Sequence, residues 1–544
     1  MLRTLLALSA VLFFGPTGFA QPVPKVATPH VSTATPGEQR AIRAFNAARQ
    51  NPLALNAFLV NMPKGADLHM HLAGAIYAET FIKDAAADIL CFNPNTRSLF
   101  KPAATTRSLP PQPVCGEGNQ RAMDAFKEQT LYDAMVDSFS MRSFVPSAGV
   151  SGHDQFFVTF GRFGAVGKSH TGEWLDEVAT RAAAQNEQYL EIMETPVFSD
   201  VAHLAETIAW PGDPRDTASG TAREDFSKLR DALLAGGLRN EVATDRKELE
   251  DELASRDQIE HCTQSNAAPA CSVTIHFLYQ VLRARSPEQV FAQTLLGFEI
   301  AEAEAEAGHP HVVGINFVQP EDAYMAMSEY HRQMRMLDYL HSVYPKVHIS
   351  LHAGELAPGM VPPDGLRFHI REAIEIGHAE RIGHGVDVMY ETNPHALLKE
   401  MASRHIMTEI NLTSNDVILG VTKEWHPLPS YREAGVPVAL STDDEGVSRI
   451  DLTHEYTRAA LDFNLGYLDL KKMARTSLEH SFLPGPSLWA QPDEFNRVNA
   501  ACSAQPLGAD NPSARCRDFL KSSEKAAEQW QLEHRYQLFE SGLQ

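Results

Sequence analysis

Between about residue 62 and residue 483, short apolar runs alternate with longer stretches of helical periodicity. Eight of the runs read as strands: 65–71, 188–194, 271–278, 311–318, 346–352, 381–384, 405–412 and 436–442. Most are rich in Val, Ile or Leu, the composition of strands buried on both faces. Helix-like stretches at 174–186, 288–307 and 328–341 separate several of them. Strand–helix alternation repeated eight times predicts an α/β fold with a parallel sheet closed into a (β/α)₈ TIM-type barrel. A doubly wound open sheet shares the alternation but gives no reason for chemistry to collect at many strand ends. The interval 73–187 is too long for an ordinary connection and predicts a disulfide-bearing insertion, with a second one ahead of the third strand. A single helix is expected over 38–58, and a charged helical segment from 513 to the end.

The first twenty residues add an organisational expectation. Arg3, an apolar run from Leu5 to Phe14 and the Gly18-Phe19-Ala20 site form the pattern of an export leader. The run is shorter than the roughly 20 residues that span a bilayer. The expected order is a leader at 1–20, an N-terminal extension at 21–61, the barrel with insertions at 62–485 and a C-terminal extension at 486–544. The expected location is periplasmic or secreted. Six cysteines fall into three near neighbours in sequence, 91 with 115, 262 with 271 and 502 with 516, none of them in a Cys-x-x-Cys zinc pattern. Three loop-stapling disulfides in an oxidising compartment follow, although six cysteines permit about fifteen pairings. With Lys+Arg 47 against Asp+Glu 69, the net charge of −22 disfavours a nucleic-acid backbone or an anionic membrane surface as partner.

Four short segments carry chemistry. In Asp67-Leu68-His69-Met70-His71, two histidines at i and i+2 of a strand share a face and can reach one ion. In Ser350-Leu351-His352-Ala353-Gly354-Glu355, a strand closes on a third histidine and a carboxylate follows three residues on, placed for acid–base work. Arg381-Ile382-Gly383-His384-Gly385 flanks a histidine with glycines, which lets the backbone approach closely. Ser441-Thr442-Asp443-Asp444 sets two carboxylates side by side at a strand end, an arrangement that needs a cation or a proton-donating ligand. Each has an ordinary alternative: a polar strand end, a helix N-terminus, an N-cap. Together, at strand ends that converge in a barrel, they describe a metal site with an open position for water.

In this order, Met62-Pro63-Lys64, His69-Met70-His71, His352-Ala353-Gly354-Glu355, Arg381-Ile382-Gly383-His384-Gly385 and Ser441-Thr442-Asp443-Asp444 resemble the adenosine/AMP deaminase family of metal-dependent barrel hydrolases. Val312-Val313-Gly314-Ile315 and Ser481-Phe482-Leu483 resemble further landmarks of it. The resemblance implies one Zn²⁺ per chain, held by His69, His71, His352 and Asp443. It implies that Glu355 protonates a ring nitrogen, that His384 orients and helps deprotonate the water, and that Asp444 holds water and purine. It further implies contacts to the base from the Gly354 backbone. The partner is then a small purine nucleoside, and the reaction is conversion of adenosine to inosine and ammonia. The alternatives are a related purine (adenine, a 5′-modified adenosine or an adenine nucleotide) or an extracellular, growth-factor-like protein that binds adenosine without turnover.

Three departures from the family's pattern concern specificity rather than chemistry. Ala73 stands where typical members carry an acid that touches the ribose. Gln319 replaces a glycine close to the purine, and Glu445 replaces a proline after the paired aspartates. Phe156, Phe157, Phe160 and Phe163, at near-helical spacing, read as core rather than pocket, and Glu302, Glu304 and Glu306 as a solvated helix face.

Overall fold

A computed structural model of the protein describes residues 34–106, 112–210, 225–308 and 310–543. The expected leader at 1–20 lies outside the described residues. Eight parallel strands hydrogen-bond in chain order: β1 (Gly65–His71), β2 (Glu187–Glu194), β3 (Thr274–Leu282), β4 (Val312–Val318), β5 (His348–Ala353), β6 (Arg381–His384), β7 (Met407–Ile410) and β8 (Val438–Leu440). A parallel bridge between Met70 and Asp443 joins the last strand's end to the first, with the Asp443 N–H donating to the His69 carbonyl at 2.8 Å. The sheet is therefore a closed barrel. All eight expected strands are present, and β4 and β7 are buried along their whole length, as the uninterrupted apolar runs required.

Local chemistry moves several boundaries. The expected single helix over 38–58 is two, Pro36–Ala48 and Pro52–Asn61. Pro52 cannot continue a helix, whereas it suits the first turn of a new one, and the Asn51 side chain caps that turn. The third strand starts at Thr274, because 269–272 forms a 3₁₀ turn that carries Cys271. The last strand ends early, since Thr442 turns to Asp67, whose Oδ2 accepts from its N–H at 3.0 Å and its hydroxyl at 2.6 Å. Lys64, fully buried, is structural: its ammonium donates to the carbonyls of Leu59, Met62 and Gln185 at 2.6, 3.1 and 2.5 Å, closing the ends of two helices.

The long interval after β1 holds a small antiparallel sheet (Cys91–Asn93, Ser98–Phe100, Gln120–Arg121), pinned by a Cys91–Cys115 disulfide. Cys262–Cys271 and Cys502–Cys516 complete the sequence-neighbour pairing. Replacing Cys91 and Cys115 by alanine is expected to lower stability by about 3 kcal/mol, the loop-closure contribution for a separation of this size. Equilibrium urea unfolding measures it, and an unchanged midpoint would contradict it.

The extensions belong to the barrel's packing. The C-terminal helix Glu524–Gly542 lies across the starts of β2 and β3, where Glu528 accepts from Gln188 and Thr274. Lys471, on the Tyr467–His480 helix, donates to both Glu38 and Glu540 at 3.1 and 2.6 Å, tying the helix Pro36–Ala48 to the helix Glu524–Gly542. The opposite, C-terminal end of the strands is left to the four motifs.

Candidate metal centre

Nε2 of His69 and of His71 stand 3.1 and 3.2 Å from Nε2 of His352, and 3.4 and 3.3 Å from Oδ1 of Asp443. Ligands about 2.0–2.1 Å from a tetrahedral ion lie about 3.3 Å from one another, so the donor set has the dimensions of such a site. The outer ring of contacts points the same way. His69 Nδ1 meets Glu409 at 2.6 Å, His71 Nδ1 meets Gln280 Oε1 at 2.7 Å and His352 Nδ1 meets Asn316 Oδ1 at 2.7 Å. Each oxygen holds the ring proton on Nδ1 and leaves the Nε2 lone pair facing the centre, the arrangement metal-binding histidines use. Burial alone pulls the protonation of His69 down, yet hydrogen bonds to Asp443 and Glu409 push it up to about 10. The cluster demands positive charge, and a divalent ion fits it.

The strand ends that deliver these groups are bent. His384 and Asp443 have φ of +67° and +61°, left-handed values uncommon for residues with a Cβ, and such strain gathers at functional sites. Close approach explains one glycine of the motif. A Cβ on Gly383 would sit 2.5 Å from His69 Cε1, so only glycine lets β6 pass behind that imidazole.

Buried charge continues below the centre. Glu409 also takes Arg381 Nε at 2.7 Å and the Ser350 hydroxyl at 3.0 Å, and Arg381 reaches Glu191 at 2.7 Å. The arginine of the Arg381–Gly385 motif is thus an anchor beneath the site. Glu409→Gln should weaken zinc binding about 10- to 100-fold, the usual effect of altering a ligand's partner. Competition against a chromogenic chelator reads this directly, and unaltered affinity would count against it.

Beside the donors, Glu355 is buried, with one oxygen 3.7 Å from His384 Nδ1. Burial, reinforced by the carboxylates of Asp443 and Glu321, holds its carboxyl well above the ordinary range. Asp444 is raised to about 8 by burial and then by Asp443, and its Oδ1 finds no hydrogen-bond partner. Burial drops His384 to about 3 against the opposing pull of Asp443, keeping the ring neutral.

A buried chain fixes the tautomer of His384. The Leu428 N–H donates to His426 Nδ1 at 3.1 Å, so the proton of His426 is on Nε2, which donates to Asn415 Oδ1 at 3.0 Å. The Asn415 amide is then oriented to donate to His384 Nδ1 at 2.9 Å. His384 keeps its own proton on Nε2, the nitrogen 3.9 Å from Asp443 Oδ2. The resting ring therefore offers the centre a donor and not a base.

A cavity of about 340 Å³ opens onto the centre. His71, His352, Asp443, Asp444 and Glu355 line it on one side, and Phe156, Phe157 and Phe160 on another. Phe156 is a core residue, as expected, and Phe157 and Phe160 pack partly buried against the same core while all three line the cavity. They lie on the Gly152–Phe163 helix, which bonds through His153 to Asp322 at 3.0 Å, and Phe163 packs inward, stacked on Phe81.

The Gly354 N–H donates to Glu321 at 3.0 Å, its carbonyl accepts from Val386 and Asp387, and Gly354 is not among the residues that line the cavity. Gln319 does line it, with φ +84°, which accounts for the family's glycine, but its side-chain oxygen is turned to the Ala284 N–H at 2.9 Å. Glu445 points away to Arg181 at 2.6 Å, tying the end of β8 to the Thr171–Ala184 helix. Glu304 is buried, accepting from Arg246 at 2.5 Å and the His311 N–H at 2.7 Å. Asn316, Gln280, Glu409, Asn415 and His426 escaped the sequence reading. A lone glutamate inside the apolar run of β7 was the one legible signal among them.

The adenosine deaminase family model matches residues 244–491, from ahead of β3 to beyond β8. Over 135 residues the chain is 36% identical to an adenosine deaminase of Clostridium perfringens, a quarter (25%) of this chain and 37% of that one. Over 189 residues it is 30% identical to an adenine deaminase of Rhizobium leguminosarum bv. trifolii, covering 34% and 52% of the two chains. The aligned segments thus span between about a third and a half of those relatives' length. Among solved structures, Arabidopsis ADAL complexed with IMP shares 18% identity at a TM-score of 0.46, over 78% of this chain and 93% of that one. The family model runs through six of the eight barrel strands and three of the four motifs, and over that stretch the chain is similar to the adenosine deaminase family.

Proposed function

We propose that the protein is a zinc-dependent aminohydrolase that converts adenosine and water to inosine and ammonia. The observation that carries this reading is a three-histidine, one-aspartate cluster of tetrahedral dimensions on the wall of a cavity, with a buried carboxylic acid beside it. His69, His71, His352 and Asp443 would hold zinc, which when bound acidifies the attacking water.

The chain's own groups supply the rest. Glu355, kept protonated by burial, gives its proton to the ring nitrogen next to the amine-bearing carbon. That raises the carbon's susceptibility to attack. His384 donates from Nε2 and orients the water oxygen, and Asp444, which a bound cation would ionise and whose Oδ1 is unpartnered, takes the water's proton. The amine leaves as ammonia with the proton from Asp444, and the hydroxyl proton of the adduct returns to Glu355. The product keeps its ring N–H, so protons balance and both acids are reset.

The pocket wall favours a nucleoside or base over a nucleotide. No lysine or arginine is among the described residues that line the cavity, so a phosphate would find no cationic side chain there to pair with. Ala73, also on the wall, keeps adenine and a 5′-modified adenosine as the second reading. A non-catalytic binder would have no use for an acid buried next to a metal cluster. Ammonia release from the zinc-loaded protein with adenosine, adenine, 5′-deoxyadenosine and AMP tests the proposal. Adenosine should be fast and AMP slow; an inert adenosine beside a fast rival would overturn the name. Export remains part of the proposal, supported by three disulfides of the kind an oxidising compartment sustains.

A further inference from the structure

Glu194 is the one carboxylate on the cavity wall that the mechanism leaves unused. It is the last residue of β2, and the register pairs His71 of β1 with Met193, the residue before it. Ala73 lies two residues beyond His71, in the short helix Leu72–Ala75 that follows β1, and lines the same cavity. The carboxylate absent from the end of β1 therefore has a counterpart one strand over.

Lys168 meets Glu194 Oε1 at 3.2 Å, and that pair is the ordinary explanation for an acid here. Lys168 does not need it. Its ammonium also meets Glu248 at 2.9 Å and the Thr195 carbonyl, and it is 42% exposed, a setting in which one ion pair contributes little. Glu194 is 12% exposed and shares the cavity wall with Met193, Leu282 and the phenylalanines of the Gly152–Phe163 helix, with Lys168 as its charged neighbour. A carboxylate held there presents acceptors to a ligand, and an acceptor on a cavity wall selects for hydroxyl donors. The next residue, Thr195, accepts from Gln280 Nε2 at 2.9 Å, and Gln280 in turn holds His71, so the acid is in fixed relation to the metal centre.

We propose that Glu194 is the sugar-recognition residue of this site, accepting a hydrogen bond from a ribose hydroxyl of the nucleoside, with Lys168 as the positioning residue that fixes it. This rests on the adenosine reading above and assigns the specificity that Ala73 leaves open. Burial raises the Glu194 carboxyl above its ordinary range, and the Lys168 ammonium at 3.2 Å opposes that rise.

The test is a cycle between substrate and enzyme. kcat/KM is measured for wild type and Glu194→Gln on adenosine and on its 2′-, 3′- and 5′-deoxy analogues. For one analogue the wild type should lose about 10- to 100-fold relative to adenosine, the usual range for a hydrogen bond to a charged group. In Glu194→Gln that ratio should shrink to within a few-fold, because the hydroxyl's partner is already gone. Equal ratios in both enzymes for all three analogues would overturn the proposal. Should Glu194→Gln not fold, Glu194→Asp withdraws the carboxylate by one methylene and is read in the same cycle. Wild type inert towards adenosine but active on adenine would remove the nucleoside reading and this assignment with it. Wild type active with no coupling at Glu194 removes this assignment alone.

Discussion

Glu355→Gln should retain a full equivalent of zinc and lose about 10²- to 10⁴-fold in kcat, the range that a positioned general acid contributes. The side chain keeps its size, and its N–H still occupies the place of the donated proton, but an amide does not release that proton. Because Glu355 is not one of the four groups whose spacing matches the ion, metal content by atomic emission should stay at one per chain. KM should move little, since the acid acts on charge that develops after binding. A variant with wild-type kcat would take the acid role from Glu355. A variant that has lost its zinc would make it a structural support of the cluster instead.

Gly74→Ala carries the second large effect, from a single methyl. A Cβ at residue 74 would lie 1.5 Å from Asp444 Oδ1 and 2.4 Å from its carboxyl carbon, which no side-chain adjustment short of moving Asp444 relieves. The carboxylate has to leave its place over the cavity. Displacement of a catalytic group by about 1 Å costs on the order of 100-fold in rate. The expected result is a fall of about that size or more in kcat/KM, with zinc content and unfolding midpoint close to wild type. Full activity would mean that Asp444 acts from some other position, or not at all.

How much was legible in the sequence depended on whether a feature was contiguous. The donors are readable because each lies in a short segment at a strand end, and the barrel's closure brings the ends of β1, β5, β6 and β8 together. Asn316, Gln280 and Glu409 act one apiece from the middle or end of three other strands, and nothing local to them distinguishes an outer-ring partner from a buried polar residue. Helix faces were misread for a different reason. Two residues along a helix are about 200° apart, so Glu304 faces the opposite side from Glu302 and Glu306, and the repeating Glu-Ala pattern conceals one inward acid. Likewise the spacing of Phe156, Phe157, Phe160 and Phe163 gives the apolar face of a helix but not what it covers. Here Phe156 and Phe163 belong to the core and Phe157 and Phe160 pack against it, while Phe156, Phe157 and Phe160 also line the cavity.

The joining of the helices Pro36–Ala48 and Glu524–Gly542 bears on how the molecule folds. The Glu524–Gly542 helix follows the barrel strands in the chain, yet it supplies the Tyr536 hydroxyl to the Pro63 carbonyl, immediately ahead of the first strand, and Arg535 to the Glu187 carbonyl where the second begins. Until that helix is made, the starts of the first two strands lack these partners, and Lys471 has only one of its two acids. Contacts that span 473 and 348 residues make completion of the first two strands a late event in folding, since long loops must close before they form.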